Sequence, residues 1–217
     1  MSFDLLAPAY LTLEQVVAGP LLQKARLAHL PNLRQPHRAL LLGEGPGRFL
    51  VELLKRHPEV DCTCVEKSRR MVTEARNALT RYGFSADRVR FLEIDASHHH
   101  CLGEPFDLIA THFFLDCFTP PELELLVKSI ATSAGPNAVW LISDFRIPDA
   151  GWRRFRARLI HRIMYMVFRQ ITGISASHVC PPDSFLSRAG FQLQKRLEFN
   201  HGLIHSDVWC RLPSGLQ

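Results

Sequence analysis

No apolar run in these 217 residues approaches the ~20 needed for a membrane-spanning helix. Met1-Ser2-Phe3-Asp4 lacks the basic start and apolar core of a secretion signal, so a cytoplasmic location is expected. The cysteines at 62, 64, 101, 117, 180 and 210 include no Cys-x-x-Cys pair, which argues against zinc. Cys62 and Cys64 share one face of an expected strand, where reduced cysteine packs as a small hydrophobe. There is no Pro/Gly/Ser-rich linker, internal repeat or low-complexity tract, which argues for one domain. What is present is ordinary for a globular chain: 47% hydrophobic, 22% charged, net charge +5. That mild positive balance leaves anionic partners open.

The chain is organised around Ala39-Leu40-Leu41-Leu42-Gly43-Glu44-Gly45-Pro46-Gly47-Arg48. A short apolar run entering a glycine cluster reads as a buried strand followed by a tight turn. The next residues open a helix, whose first N–H groups have no partner within the helix and could meet a ligand. Gly-x-x-x-x-Gly-Lys-Ser/Thr is absent, which excludes a phosphate-binding P-loop. The dinucleotide spacing Gly-x-Gly-x-x-Gly also fails, because Arg48 stands where the third glycine belongs. Gly43-x-Gly45-x-Gly47 remains.

Strand and helix then alternate. Strands are expected at 38–42, 60–65, 88–94, 106–111 and 138–143, with helices at 48–56, 68–82 and 120–133. Such alternation argues for a parallel, doubly wound sheet. A helical stretch at 3–30 precedes it, with a break expected at Gly19-Pro20. A long helix at 151–171, a short one ending at Gly190, and an antiparallel strand pair at 191–199 and 203–212 follow it. Glu66 falls at the second strand's carboxyl end, about 20 residues past the glycines, where an acid can grip a ribose diol.

The glycine triplet and this strand order resemble the class I S-adenosylmethionine (SAM) dependent methyltransferases over nearly the whole chain. Thr111-His112-Phe113-Phe114-Leu115-Asp116-Cys117-Phe118 and Phe168-Arg169-x-x-Thr172-Gly173 resemble small bacterial methyltransferase-domain proteins of unassigned substrate. The resemblance implies a Rossmann-like α/β fold: a mostly parallel seven-stranded sheet, a C-terminal antiparallel hairpin, and helices on both faces. It divides the single domain 1–217 into an N-terminal helical cap (1–37), a cofactor-binding core (38–145), a helical insertion or lid (146–180) and a C-terminal helix with hairpin (181–217).

It also implies SAM as cofactor, held by Gly43, Glu44, Gly45, Gly47, Glu66, Lys67, Asp95, Ala96 and His112. Asp95 would accept the adenine amino hydrogen. The family's acid two residues before the first glycine is Leu41 here, and Glu44 stands between the first two glycines instead. His112 is the candidate catalytic base, with Asp116, Asp144 and His205 as rivals. Phe113, Phe114, Tyr10, Tyr165 and Arg169 are candidates for the acceptor pocket, core or surface packing being the plainer alternative. Nucleic-acid amine methylation is disfavoured, since Thr-His-Phe-Phe replaces the Asn/Asp-Pro-Pro-Tyr/Phe that it uses.

The resemblance implies methyl transfer, with a small or lipid-like acceptor as the leading reading. A non-catalytic SAM-binding partner module, and an RNA or protein methyltransferase, are the alternatives. Trp152, Phe155, Leu159, Ile163 and Met166 form one apolar stripe among arginines. It reads as core packing, as a lid, or as peripheral contact with an anionic membrane. His98-His99-His100-Cys101 is expected to be a solvated loop rather than a metal site, because adjacent side chains diverge.

Overall fold

The computed structural model describes residues 19–96, 105–148, 150–172 and 179–212, with the side chains of 162–172 outside that description. Tyr10 and the His98–Cys101 tract therefore lie outside it, as do the side chains of Tyr165 and Arg169.

Seven strands form one sheet: β1 (Arg38–Leu42), β2 (Asp61–Val65), β3 (Val89–Leu92), β4 (Phe106–His112), β5 (Ala134–Phe145), β6 (Phe191–Phe199) and β7 (Ile204–Arg211). Their order is β3-β2-β1-β4-β5-β7-β6. The first five run parallel, and β7 pairs antiparallel with both β5 and β6. This is the doubly wound sheet with an antiparallel end that the sequence predicts. Its strand order reverses between β1 and β4, the switch point where open α/β sheets bind ligands.

The central strands are buried on both faces, so they read as apolar runs rather than alternating ones. Leu40 and Leu42 pack with Trp140, Phe106 and the apolar side of α4 (Pro120–Thr132). Leu41 and Ala39 pack on the other side with Phe49, Leu50 and Leu53 of α2 (Arg48–Arg56) and with Leu79 of α3 (Arg69–Arg81). Local signals set the helix ends. Ser68 Oγ accepts the Met71 N–H at the start of α3, and Thr119 and Glu122 form a capping box on α4.

The expected break at Gly19-Pro20 falls where the described residues begin, and α1 is described over Gly19–Leu27. α1 is tied to the sheet by Ser143 and Ser206, whose hydroxyls both reach the Ala25 carbonyl. One expectation shifts: β5 begins at Ala134 rather than 138. A register irregularity lets Ala134 pair with Phe106 before Val139 pairs with Leu108. A side chain on Gly135 would come within 3.1 Å of the Phe106 carbonyl, a tighter approach than a Cβ ordinarily makes.

The long helix α5 (Gly151–Thr172) follows β5, and α6 (Asp183–Arg188) precedes the hairpin. No helix among the described residues is long and apolar enough to cross a membrane.

Candidate functional site

The carboxyl ends of β1, β2, β3 and β4 meet at the glycine turn. All three glycines have positive φ, at +64°, +63° and +83°, yet each is glycine for a different reason. A Cβ on Gly43 would sit 2.4 Å from the Phe114 ring, so that aromatic packs directly on the backbone. A Cβ on Gly47 would lie 3.1 Å from Ala75 Cα, so this residue sets the approach of α3. Among the described residues nothing lies within 4 Å of a Cβ placed on Gly45. The open space of the turn is therefore over its middle glycine.

Gly45→Ala should then cost only the left-handed backbone penalty of about 1 kcal/mol, a fall in melting temperature of about 2–4 °C. Gly47→Ala should cost more, because it must also displace α3. Thermal unfolding of the pair checks this; equal losses would mean that the Ala75 contact carries nothing.

Glu66, immediately after β2, braces the turn. One carboxylate oxygen accepts the Gly45 N–H (3.0 Å) and the other accepts the Ser68 N–H (2.9 Å). Asp95 follows the neighbouring β3, where Lys67 Nζ holds it at 2.6 Å in an ion pair with both side chains partly exposed. Ala96 beside it is buried in the core. Glu66, Lys67, Asp95 and Ala96 are thus brought together at the tips of two adjacent strands.

Glu44 caps the helix that follows the turn. Its Oε1 accepts the N–H groups of Phe49 and Leu50, both at 2.9 Å. The first turn of α2 is therefore capped from inside the glycine turn, and those two donors are not presented to a ligand. Burial raises the Glu44 carboxyl to about 7, against the lowering effect of those two N–H bonds and of Arg26. Glycines at N-termini carry no side-chain cap, and nothing in the local spelling Gly-Glu-Gly announces that the intervening acid supplies one.

His112 ends β4, buried edge-on against Phe49 at 4.6 Å between ring centres. Neither of its ring nitrogens has a hydrogen-bond partner among the described residues. Burial, and then the nearby Arg26 and His29 charges, push it down to about 3. The imidazole is neutral throughout the physiological range. It is a weak proton acceptor there, better suited to a hydrogen bond than to proton abstraction.

Phe113 and Phe114 diverge. Phe113, with φ of 56°, packs on Phe145 and under the Arg26 guanidinium on the α1 side. Phe114 packs on Phe118 and Gly43. Phe114 therefore borders the open space over the turn, whereas Phe113 connects the β4 tip to the neighbouring helix layer.

Asp144, on β5, is buried beneath this segment. Its Oδ2 accepts the N–H groups of Leu115 (3.1 Å) and Asp116 (3.2 Å), and its side chain is hydrogen-bonded to the Asp116 carboxyl. Burial, and next the Asp116 charge, hold Asp144 well above the usual carboxylate range. Asp116 is raised as well, chiefly by burial. Two close carboxyls that cannot both ionise share a proton. The sequence presents them as separate candidate bases, and their coupling depends on a contact across 28 residues that no local pattern shows. His205 lies opposite Asp144 on β7, with its Nδ1 2.9 Å from Asp207. Although burial favours its neutral form, Asp207 is held at about 2 by Arg196 and His205. Arg196 clasps it with two nitrogens, at 2.9 and 2.6 Å.

Residues 39–137 match the family model described as a methyltransferase domain, just under half of the chain. A carboxy-S-adenosyl-L-methionine synthase from Nautilia profundicola is 27% identical over 110 residues, which cover 50% of this chain and 44% of that protein. Among solved structures, an O-methyltransferase family protein from Burkholderia thailandensis superposes with a TM-score of 0.70 at 15% identity, over 97% of this chain and 60% of that one. The 1,6-didemethyltoxoflavin-N1-methyltransferase of the same organism, solved with its substrate and S-adenosylhomocysteine, superposes with a TM-score of 0.62 at 18% identity, over 96% and 88%. The chain thus spans about half the length of the curated relative. The likeness to the solved structures establishes the class I methyltransferase fold.

Proposed function

We propose that this chain, a methyltransferase-domain homologue over residues 39–137, transfers a methyl group from SAM to a small or lipid-like acceptor. The observation that carries this reading is the open space over Gly45, bounded by a Glu66 carboxylate bonded to that residue's own amide. The residues fit the adenosyl group. Glu66 would accept the ribose hydroxyls at its carboxylate, Asp95 and the Ala96 amide would meet the adenine, and the Gly45 backbone leaves room beside them. When bound, the sulfonium supplies an electrophilic methyl group. The chain's own contribution is alignment and exclusion of water. Neutral His112, whose ring nitrogens have no partner among the described residues, can accept or donate one hydrogen bond to a ligand without adding charge to the site.

The test is transfer from methyl-labelled SAM, with phenols, amines and detergent-dispersed lipids as separate acceptor pools. Label in an extractable small product is the expected result. Tight SAM binding with no methyl loss in any pool would leave a cofactor-binding module. Label on added RNA or protein would move the acceptor to those classes.

A further inference from the structure

We propose that the outward stripe of α5, carrying Trp152, Phe155 and Leu159, is a docking surface for an anionic lipid bilayer. The stripe is apolar as the periodicity predicts, but it faces away from the protein. Trp152 is 61% exposed, Phe155 74% and Leu159 52%. Ala157 and His161 face inward instead, with His161 edge-on to Phe145. Arg156 fixes the helix by bonding the carbonyl and side-chain oxygens of Asn200 in the β6–β7 turn. Apart from the contact of the Trp152 ring with His201 in the β6–β7 turn (5.6 Å between ring centres), these large apolar side chains stand in water unless something covers them.

Charge decides what covers them. Between 151 and 172 the sequence has six arginines and no acid. Arg153, Arg154 and Arg158 are exposed beside the stripe. Tryptophan, phenylalanine and leucine on one side with arginine around them is the composition of a helix lying in a lipid headgroup layer. A second copy docked face to face would set arginines against arginines, which disfavours self-association through this surface.

Position gives the docking a use. α5 leaves the carboxyl end of β5, and the β6–β7 turn that holds it lies at the same edge of the sheet, since Ile204 pairs with Phe145. Phe113 touches Phe145, and Phe145 touches His161, so α5 is in continuous contact with the β4 tip. A bilayer against α5 would lie at the edge of the sheet that carries the glycine turn. That an acceptor is drawn from the bilayer rests on the methyltransferase reading; the docking itself does not.

The full chain, without cofactor, is sedimented with phosphatidylcholine vesicles with and without phosphatidylglycerol. Pelleting with the anionic vesicles alone is expected. Trp152→Ser with Phe155→Ser should weaken it about tenfold or more, since two large apolar side chains lose their burial. Arg153→Glu with Arg158→Glu should weaken it similarly and reduce its salt dependence. A blue shift of Trp152 emission should accompany binding, because Trp140 and Trp209 are already buried. No pelleting, pelleting that both double variants retain, or retention on single-stranded RNA with vesicles ignored would overturn the proposal. Vesicle failure with intact methyl transfer removes only the docking. Intact pelleting without SAM binding removes only the enzymatic reading.

Discussion

Glu66→Ala should weaken SAM binding about 100-fold in titration calorimetry. Hydrogen bonds to a charged group contribute about 1.5–3 kcal/mol each, and each 1.4 kcal/mol is tenfold in affinity. Losing the ribose contact supplies most of that. The rest comes from the turn itself, because the same carboxylate holds the Gly45 and Ser68 amides. Glu66→Gln separates the two contributions. Its single amide oxygen keeps one of the loop bonds, while its NH2 cannot accept a hydroxyl hydrogen. Glutamine should therefore bind SAM almost as poorly as alanine while unfolding closer to wild type. If glutamine bound like wild type, the carboxylate would be a brace for the turn and no ribose ligand.

That experiment addresses a residue whose place was legible in the sequence. An acid about 20 residues past a glycine turn, at a strand end, follows from the doubly wound pattern alone. The strand β1 was equally legible, since an unbroken apolar run such as Ala39–Leu42 is what burial on both faces requires, and β2 was legible from its alternation, with Cys62 and Cys64 buried and Asp61 exposed. What stayed hidden is whatever depends on which side an element turns. The α5 stripe has its predicted spacing, yet Ala157 and the Arg156–Asn200 bonds turn it outward. Periodicity reports that a face exists and says nothing about what meets it. The three glycines were found together, but their separate causes lie in Phe114, Ala75 and open space, two of them set by tertiary packing. Glu44 stands in the ligand turn by sequence and caps α2 in three dimensions.

Asp144→Ala should lower stability by about 3 kcal/mol, because the Leu115 and Asp116 amides lose their acceptor and an unsatisfied buried group costs about 1–3 kcal/mol. For a chain of this size that is about 6–12 °C in melting temperature. The turn it pins carries Phe114 onto Gly43, so cofactor affinity should fall with it. Asp144→Asn behaves differently. Its amide oxygen can accept the same N–H groups, and its NH2 can donate to Asp116 where the shared proton now sits. Near-wild-type stability is expected, with a changed pH profile. The sign follows from the raised pKa of Asp144 in the folded state. Between its unfolded value and that raised value the native protein holds more protons, so wild-type stability is greatest below the unfolded pKa and is lost as pH rises through the folded one. Glu44, raised to about 7, slopes the same way, whereas His112, lowered to about 3, slopes the opposite way between its folded and unfolded values. Only the difference between variant and wild type isolates the pair. Denaturant unfolding from acid to mildly alkaline pH should show Asp144→Asn gaining on wild type as pH rises. Parallel curves would mean that the two carboxyls share no proton, and that Asp144 is merely an acceptor for the amides above it.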